Sequence, residues 1–183
     1  LVAIEETTFY DCNSLEDVHL PVTLKRIGTK AFKDCTSLST IILHEGTTTI
    51  DTWAYHRCKN LSIDKLPSTL ETIGCGAFDS CNLRHFVSPL HCKELHISAF
   101  DRCEDLKSIQ IVGDDTMLIN DGISTFFNVE IPSLLRLNVP KSYHDGGARL
   151  RLRPGHFLSN TSIEPNLAMS ENDYTYMFSK FKE

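Results

Sequence analysis

Apolar residues recur along this chain at a fixed interval of 22 or 23 residues. An aromatic column is spaced at 23, 23, 23 and 22 residues, and a cysteine column follows it three positions later with the same spacings. A leucine column and an isoleucine column keep step with them. The four columns are Phe9, Phe32, Tyr55, Phe78 and Phe100; Cys12, Cys35, Cys58, Cys81 and Cys103; Leu15, Leu38, Leu61, Leu83 and Leu106; and Ile4, Ile27, Ile50, Ile73 and Leu95. Agreement among independent positions indicates a repeat protein whose units stack on one another.

Each unit predicts one short strand and one helical turn. Val18 and Leu20 alternate with polar neighbours, as a half-buried strand does, and Pro21 ends that strand because it lacks the N–H that a ladder needs. Ala31 and Cys35 are four residues apart, so one helical turn would place them on one side. A unit this short buries its apolar side only against its neighbours. The pattern therefore predicts an α/β, right-handed solenoid with one short parallel strand and a helical turn per coil.

The repeat unit resembles the BspA-type leucine-rich repeat family. The residues that carry the resemblance in one copy are Ile27-Gly28, Ala31-Phe32, Cys35, Leu38, Ile41 and Leu43, and in another Ile73-Gly74, Ala77-Phe78, Cys81 and Leu83. The resemblance implies a leucine-rich-repeat solenoid. It also implies a secreted or cell-surface adhesin as one candidate function, because members of that family are often surface proteins that bind host or matrix proteins.

The chain divides into three parts by the regularity of its repeat. Residues 1–111 hold five regular repeats, residues 112–167 two lengthened, degenerate ones, and residues 168–183 a short terminal helix or cap. Asp64 takes a strand position of the third repeat, where we expect a bulge that turns it outward. We expect a monomer or a fragment of a longer repeat protein, and the fragment is suggested by the chain opening directly on a repeat without a cap.

Composition narrows the classes of partner and compartment. The chain has 183 residues and a formal charge of −6, which argues against a nucleic-acid binder. No apolar run approaches the roughly 20 residues that span a bilayer. The five column cysteines recur once per coil, so we expect buried free thiols. Free thiols slightly favour an intracellular compartment, while the family resemblance allows a cell-surface location, so localisation stays open.

Candidate chemistry outside the repeat is sparse. His85, His91, Cys92 and His96 could supply zinc ligands, but they lack the close spacings of known zinc sites. His56 and Cys58 could form a thiol protease pair, but Cys58 belongs to the buried column. A metal- or thiol-dependent enzyme is therefore the weakest hypothesis, and we predict no catalytic residue, metal or cofactor.

The outward positions of the strands are the candidate partner-binding residues. Alternation turns one side chain of each strand away from the core, with polar neighbours bordering the same face. The predicted set is His19, Ile42, Lys65, Val87 and Gln110, bordered by Asp17, Thr40 and His85. Ile42 and Val87 are apolar at outward positions, as a protein contact requires. The sequence thus predicts a non-enzymatic scaffold that binds a protein partner through its strand face.

Overall fold

A computed structural model describes residues 1–63, 65–110, 118–120, 136–140 and 162–166 of the chain. These residues form twelve short parallel strands and one 3₁₀ helix, Ile97–Phe100. The strands are β1 Ala3–Ile4, β2 Asp17–Val18, β3 Arg26–Ile27, β4 Thr40–Ile41, β5 Thr49–Ile50, β6 Thr72–Ile73, β7 His85–Val87, β8 Glu94–His96, β9 Ser108–Gln110, β10 Leu118–Asn120, β11 Arg136–Pro140 and β12 Ser162–Asn166. Coils 1 to 5 are residues 1–24, 25–47, 48–70, 71–92 and 93–110.

Each of coils 1, 2, 4 and 5 contributes two strands, where the sequence predicted one. The first sheet has the order β1-β3-β5-β6-β8-β10, and every neighbouring pair is parallel and in register. Its register joins Ile4 to Ile27, Ile27 to Ile50, Ile50 to Ile73 and Ile73 to Leu95. The isoleucine column is therefore a second strand column. The parallel solenoid is confirmed, whereas its right-handed sense stays a prediction.

The strands on the other side of the coils, which we call the strand face, form two sheets. The pair β2-β4 joins coils 1 and 2, and β7-β9-β11-β12 forms a four-stranded sheet that begins in coil 4. Among the described residues of coil 3, only Ser62 takes part, through an isolated bridge to Thr40. The strand face is thus interrupted at the irregular repeat. Asp64, the residue expected to bulge there, lies outside the described residues.

The expected helical turn in each coil is not confirmed, because among the described coils only coil 5 has one, the 3₁₀ helix Ile97–Phe100. In coil 2, Lys30 and Asp34 have φ angles of 55° and 63°, which are incompatible with an α-helix. The N–H groups of Lys30, Phe32 and Asp34 donate to carbonyls of coil 3, while the residues between them donate to carbonyls three positions back. Every second amide is therefore used between coils. The α/β assignment is therefore not confirmed, because in coils 1 to 4 this corner is a cross-coil ladder of turns.

The core is a set of side-chain columns running along the solenoid. The five aromatic rings stack with centroid separations of 5.0, 5.3, 5.7 and 6.3 Å and interplanar angles of 12° or less. The alanine, isoleucine and leucine columns are buried beside them. In coil 1 the equivalents Phe9, Cys12 and Leu15 are only partly buried.

All seven cysteines are free thiols. Each column thiol from coil 2 onward donates to the carbonyl of the aromatic residue in the preceding coil. The Sγ to O distances are 3.0 Å for Cys35 to Phe9, Cys58 to Phe32 and Cys81 to Tyr55, and 3.1 Å for Cys103 to Phe78. Burial raises the pKa of the Cys103 thiol to about 12 and raises that of Cys81 as well. These thiols are structural, and only Cys12 departs from the expected burial of the column.

The division of residues 112–183 into degenerate repeats and a terminal cap stays a prediction. Strands β10, β11 and β12 fall in this part of the chain. The remaining residues there, including the proposed cap at 168–183, lie outside the described residues.

Candidate functional site

Coils 1 to 3 carry a groove on the strand face. Val18 and Ile41 point toward the core, and Leu20 and Leu43 follow them inward at the next alternate position. Asp17, His19, Thr40 and Ile42 occupy the positions between and are exposed. The groove has a volume of about 750 Å³. The side chains that line it are Asp17, Val18, His19, Leu20, Thr40, Ile41, Ile42, Leu43, His44, Glu45, Ser62, Lys65, Leu66 and Pro67.

Ile42 is the apolar feature of this groove. Its side chain is 69 % exposed, although it follows directly after β4 and lies between two buried residues. Polar side chains line the groove around it, among them His19 and Asp17. The His19 side chain is 96 % exposed, and its Nδ1 lies 3.4 Å from Oδ2 of Asp17. An exposed apolar side chain within a polar rim is the arrangement found in protein interfaces.

Hydrogen bonds to the next and the preceding coil hold the far wall of the groove. A ring nitrogen of His44, Nε2, lies 3.1 Å from the carbonyl oxygen of Leu20. The Glu45 carboxylate accepts hydrogen bonds from the backbone N–H and hydroxyl of Ser68, both at 3.0 Å, and from the N–H of Thr69 at 3.4 Å. Partial burial raises the pKa of Glu45, but these hydrogen bonds outweigh it and the net pKa lies below its usual value.

Five of the eight predicted partner-binding residues come together in this groove. They are Asp17, His19, Thr40, Ile42 and Lys65. The other three lie on β7 and β9 in the second sheet of the strand face. His85 is exposed and bonds through Nδ1 to the Ser108 hydroxyl at 2.8 Å, and Gln110 is half-buried. Partial burial, together with the charges of Lys107 and Arg84, lowers the pKa of His85.

The prediction that Val87 faces outward is wrong. Val87 is only 4 % exposed, and it lines a small cavity with Ile63 and Leu66 of coil 3. The described residues of coil 3 form no strand beside β7, and Ile63, Lys65 and Leu66 line the cavity next to Val87 instead. The apolar patch predicted for the strand face therefore reduces to Ile42.

Sequence reasoning missed the far wall of the groove. The unpredicted residues that line it are His44, Glu45, Ser62, Leu66 and Pro67. The repeat did carry one signal. Coil 2 has His44-Glu45 at the positions where coil 1 has Pro21-Val22, and this departure marks the wall.

The alternative sites are not assembled. Among the described residues, no group of three or more His, Cys, Asp or Glu side chains is close enough to hold a metal ion. Cys92 of the suggested zinc set is buried, and burial raises its pKa to about 12.

The two residues of the suggested protease pair, His56 and Cys58, each contact a different partner. Nε2 of His56 lies 3.3 Å from Oδ2 of Asp79, whereas the Cys58 thiol donates to the Phe32 carbonyl. The hydrogen bond with Cys35 and burial both raise the pKa of Cys58. A buried thiol with a raised pKa is a poor nucleophile.

A family profile for the BspA-type leucine-rich repeat region matches residues 1–135 with six copies. The chain belongs to this family. The match covers the groove, both strand columns of coils 1 to 5 and the whole cysteine column. A comparison with curated proteins gives no significant match.

Several solved structures share the fold. A leucine-rich repeat protein from T. pallidum is 28 % identical, with 92 % of this chain and 64 % of that one covered and a TM-score of 0.60. A leucine-rich repeat protein from Bacteroides ovatus is 22 % identical, covering 78 % of this chain and 36 % of that one, with a TM-score of 0.62. The pneumococcal vaccine antigen PcpA is 22 % identical, covering 84 % and 42 %, with a TM-score of 0.56. This BspA-type chain thus spans between about a third and two thirds of their lengths.

Within the part of the chain that the structure describes, no helix has the length and apolar character needed to cross a bilayer.

Proposed function

We propose that this protein is a non-enzymatic scaffold that binds a protein partner in the strand-face groove of coils 1 to 3. The observation that carries the proposal is Ile42, which is 69 % exposed within that groove. The repeat itself does not require an apolar residue there, since the matching position of coil 1 is His19.

The construction of the groove supports a protein partner. Its walls come from three coils, and the cross-coil hydrogen bonds of His44 and Glu45 restrain one wall before a partner arrives. Preorganisation lowers the entropic cost of binding. Seating an apolar side chain against Ile42 removes both from water, while Asp17, His19 and Lys65 provide a polar rim.

The direct test is a charge placed in the centre of the groove. Ile42→Glu should abolish binding, because the new carboxylate must lose its water in the complex. Val22→Glu is the matched control, since Val22 is 68 % exposed, β-branched and outside the groove lining. Affinity capture with the wild type and both variants, followed by mass spectrometry, compares the proteins that each retains.

A protein retained by the wild type and by Val22→Glu, but lost with Ile42→Glu, supports the proposal. Circular dichroism should show the same folded spectrum for all three. A partner that Ile42→Glu binds at wild-type strength places the binding surface elsewhere on the molecule.

The second candidate function is recognition at the cell surface. Asn60-Leu61-Ser62 fits the N-glycosylation sequon, and both Asn60 and Ser62 are exposed while Leu61 is buried. An exposed sequon is usable only in a chain that enters a secretory pathway. A drop in intact mass on N-glycosidase treatment of protein isolated from its source, absent in Asn60→Gln, would favour this candidate.

A further inference from the structure

The strand face changes the sign of its charge along the solenoid. The position that follows each column leucine is acidic in coil 1, a serine in coils 2 and 3, and basic in coils 4 and 5. These residues are, in coil order, Glu16, Ser39, Ser62, Arg84 and Lys107. Asp17 adds a second acid in coil 1, whereas Asp64 and Lys65 offset each other in coil 3. The face is therefore acidic at coil 1 and basic at coil 4.

The charges at the two ends are exposed and are not neutralised within the fold. Glu16, Asp17, Arg84 and Lys107 are all exposed. The ion pairs of the described residues include none of Glu16, Arg84 and Lys107. Asp17 lies beside His19, which carries a charge only when it is protonated. Because residues 104 and 105 are acidic and precede Lys107, the positive end is centred on Arg84.

Ile42 lies between the two charged ends. It belongs to coil 2, one coil from Asp17 and two coils from Arg84. Parallel strands in register are about 4.8 Å apart, so the acidic and basic ends are separated by about 14 Å along the solenoid. Among the outward strand positions that the structure describes in coils 1 to 5, Ile42 is the exposed large apolar residue, since Val87 is buried. An apolar anchor therefore stands between opposite charges.

A matching partner needs the complementary order of side chains. Its basic residue would face Glu16 and Asp17, its apolar residue Ile42, and its acidic residue Arg84. A docking helix offers a stripe of apolar residues at i, i+3 or i+4 and i+7, which a single exposed isoleucine does not match. An extended chain advances about 3.3 Å per residue, so about five residues reach from one end to the other.

We propose that the strand face binds a short extended segment of its protein partner, in which one apolar residue lies between a basic and an acidic residue. This inference rests on the proposed function, because Ile42 is at its centre. The opposite charges also fix the orientation of the segment, since a reversed segment would bring like charges together.

The first experiment selects peptides without knowledge of the partner. A phage library of random dodecapeptides is panned on the immobilised wild-type protein, after removal of the phage that bind Ile42→Glu. We expect the enriched peptides to carry Lys or Arg on one side of an apolar residue and Asp or Glu on the other, within about five positions.

Charge reversal at one end should change the selected sequences. Arg84→Glu makes both ends of the face acidic, so the same panning should return peptides with basic residues on both sides of the apolar one. Lys59→Glu is the matched control, because Lys59 is exposed and lies outside the groove lining. It should return the wild-type pattern.

Affinities of the strongest wild-type peptide, synthesised with a fluorescent label, follow from fluorescence anisotropy. Asp17→Lys and Arg84→Glu should each weaken binding about tenfold, and the wild-type affinity should fall as salt is raised from about 0.05 to 0.5 M. Lys59→Glu and Glu6→Lys, an exposed acid of coil 1 outside the groove lining, should bind as the wild type does. Circular dichroism verifies that each variant is folded.

Two results would overturn the proposal, and they differ in what they mean for the groove. Peptides that depend on Ile42 but carry no opposite charges, or that bind Asp17→Lys and Arg84→Glu at wild-type strength, remove the charge assignment and leave the groove proposal intact. Recovery of no peptide that depends on Ile42 overturns this proposal and counts against the groove as well.

Discussion

The aromatic corner and the strand face are built by the same repeats, yet only the corner stays regular through all five coils. At the corner, every coil adds one ring to the stack and, from coil 2 onward, one thiol to the carbonyl ladder. On the strand face, the ladder stops after β4 and resumes at β7. Cross-coil backbone hydrogen bonds and the close packing of the column side chains both hold the corner. In coils 1 to 5 the strand face has two- and three-residue strands without a ring stack or a thiol ladder beside them, and it is interrupted at one irregular repeat.

The largest expected effect tests the regularity of the corner. Phe32 is fully buried between the rings of Phe9 and Tyr55. Phe32→Ala should lower the free energy of unfolding by about 3–5 kcal/mol, because it opens a cavity in the middle of the stack. Urea unfolding followed by circular dichroism measures it. Lys59→Ala, on the exposed surface of coil 3, should cost less than about 0.5 kcal/mol; similar losses for both would contradict the stacked core.

The second prediction compares two apolar residues that the repeat pattern treats alike. Val87 is 4 % exposed and Ile42 is 69 % exposed. Val87→Ala should therefore lower the free energy of unfolding by about 2 kcal/mol through lost burial. Ile42→Ala should change it by less than about 0.5 kcal/mol. If the two variants unfold at the same urea concentration, coil 4 presents Val87 to solvent as the alternation rule implies.

This pair shows where sequence reasoning succeeds and where it stops. The period and the column residues predict the coil stack and the inward residues, because each is repeated in every coil. The burial of Val87 depends on Ile63 and Leu66 of another coil, which no local alternation encodes. The missing helical turn has a similar cause. Lys30 and Asp34 adopt left-handed φ angles while their amides donate between coils, and a lysine at position 30 does not indicate that conformation.

The buried carboxylate of Asp79 at the corner should make a pH-dependent contribution to the free energy of unfolding. Asp79 is 4 % exposed; its carboxylate accepts a hydrogen bond from Ser80 at 2.7 Å and lies 2.9 Å from an Arg102 nitrogen and 3.3 Å from His56. Burial alone raises the pKa of Asp79, but the hydrogen bonds from His56 and Ser80 and the charges of His56 and Arg102 outweigh it and lower the pKa.

A lowered folded-state pKa means that Asp79 contributes stability above its ordinary pKa, near 4, and loses it as the pH falls through the folded value. Asp79→Ala should lower the free energy of unfolding at neutral pH by about 1–3 kcal/mol, because three donors lose their acceptor. Urea midpoints measured from pH 7 down to pH 2 should bring the wild type and the variant together at the acid end. A constant difference across this range would mean that packing, not the carboxylate charge, stabilises the corner.

The smallest expected effect comes from a substitution that gives coil 3 the phenylalanine found in the other four coils. Tyr55 replaces phenylalanine in the middle of the ring stack and is fully buried. Its hydroxyl has no hydrogen-bond partner among the described residues, and burial raises the pKa of the phenol well above its usual value. Burying a hydroxyl without a protein partner costs free energy, whereas the ring stacks like its neighbours. Tyr55→Phe should therefore raise the free energy of unfolding by about 1 kcal/mol in urea. Lower stability of Tyr55→Phe would mean that a buried water bonds the hydroxyl, and that the stack has a polar member at coil 3 as the strand face has a break there.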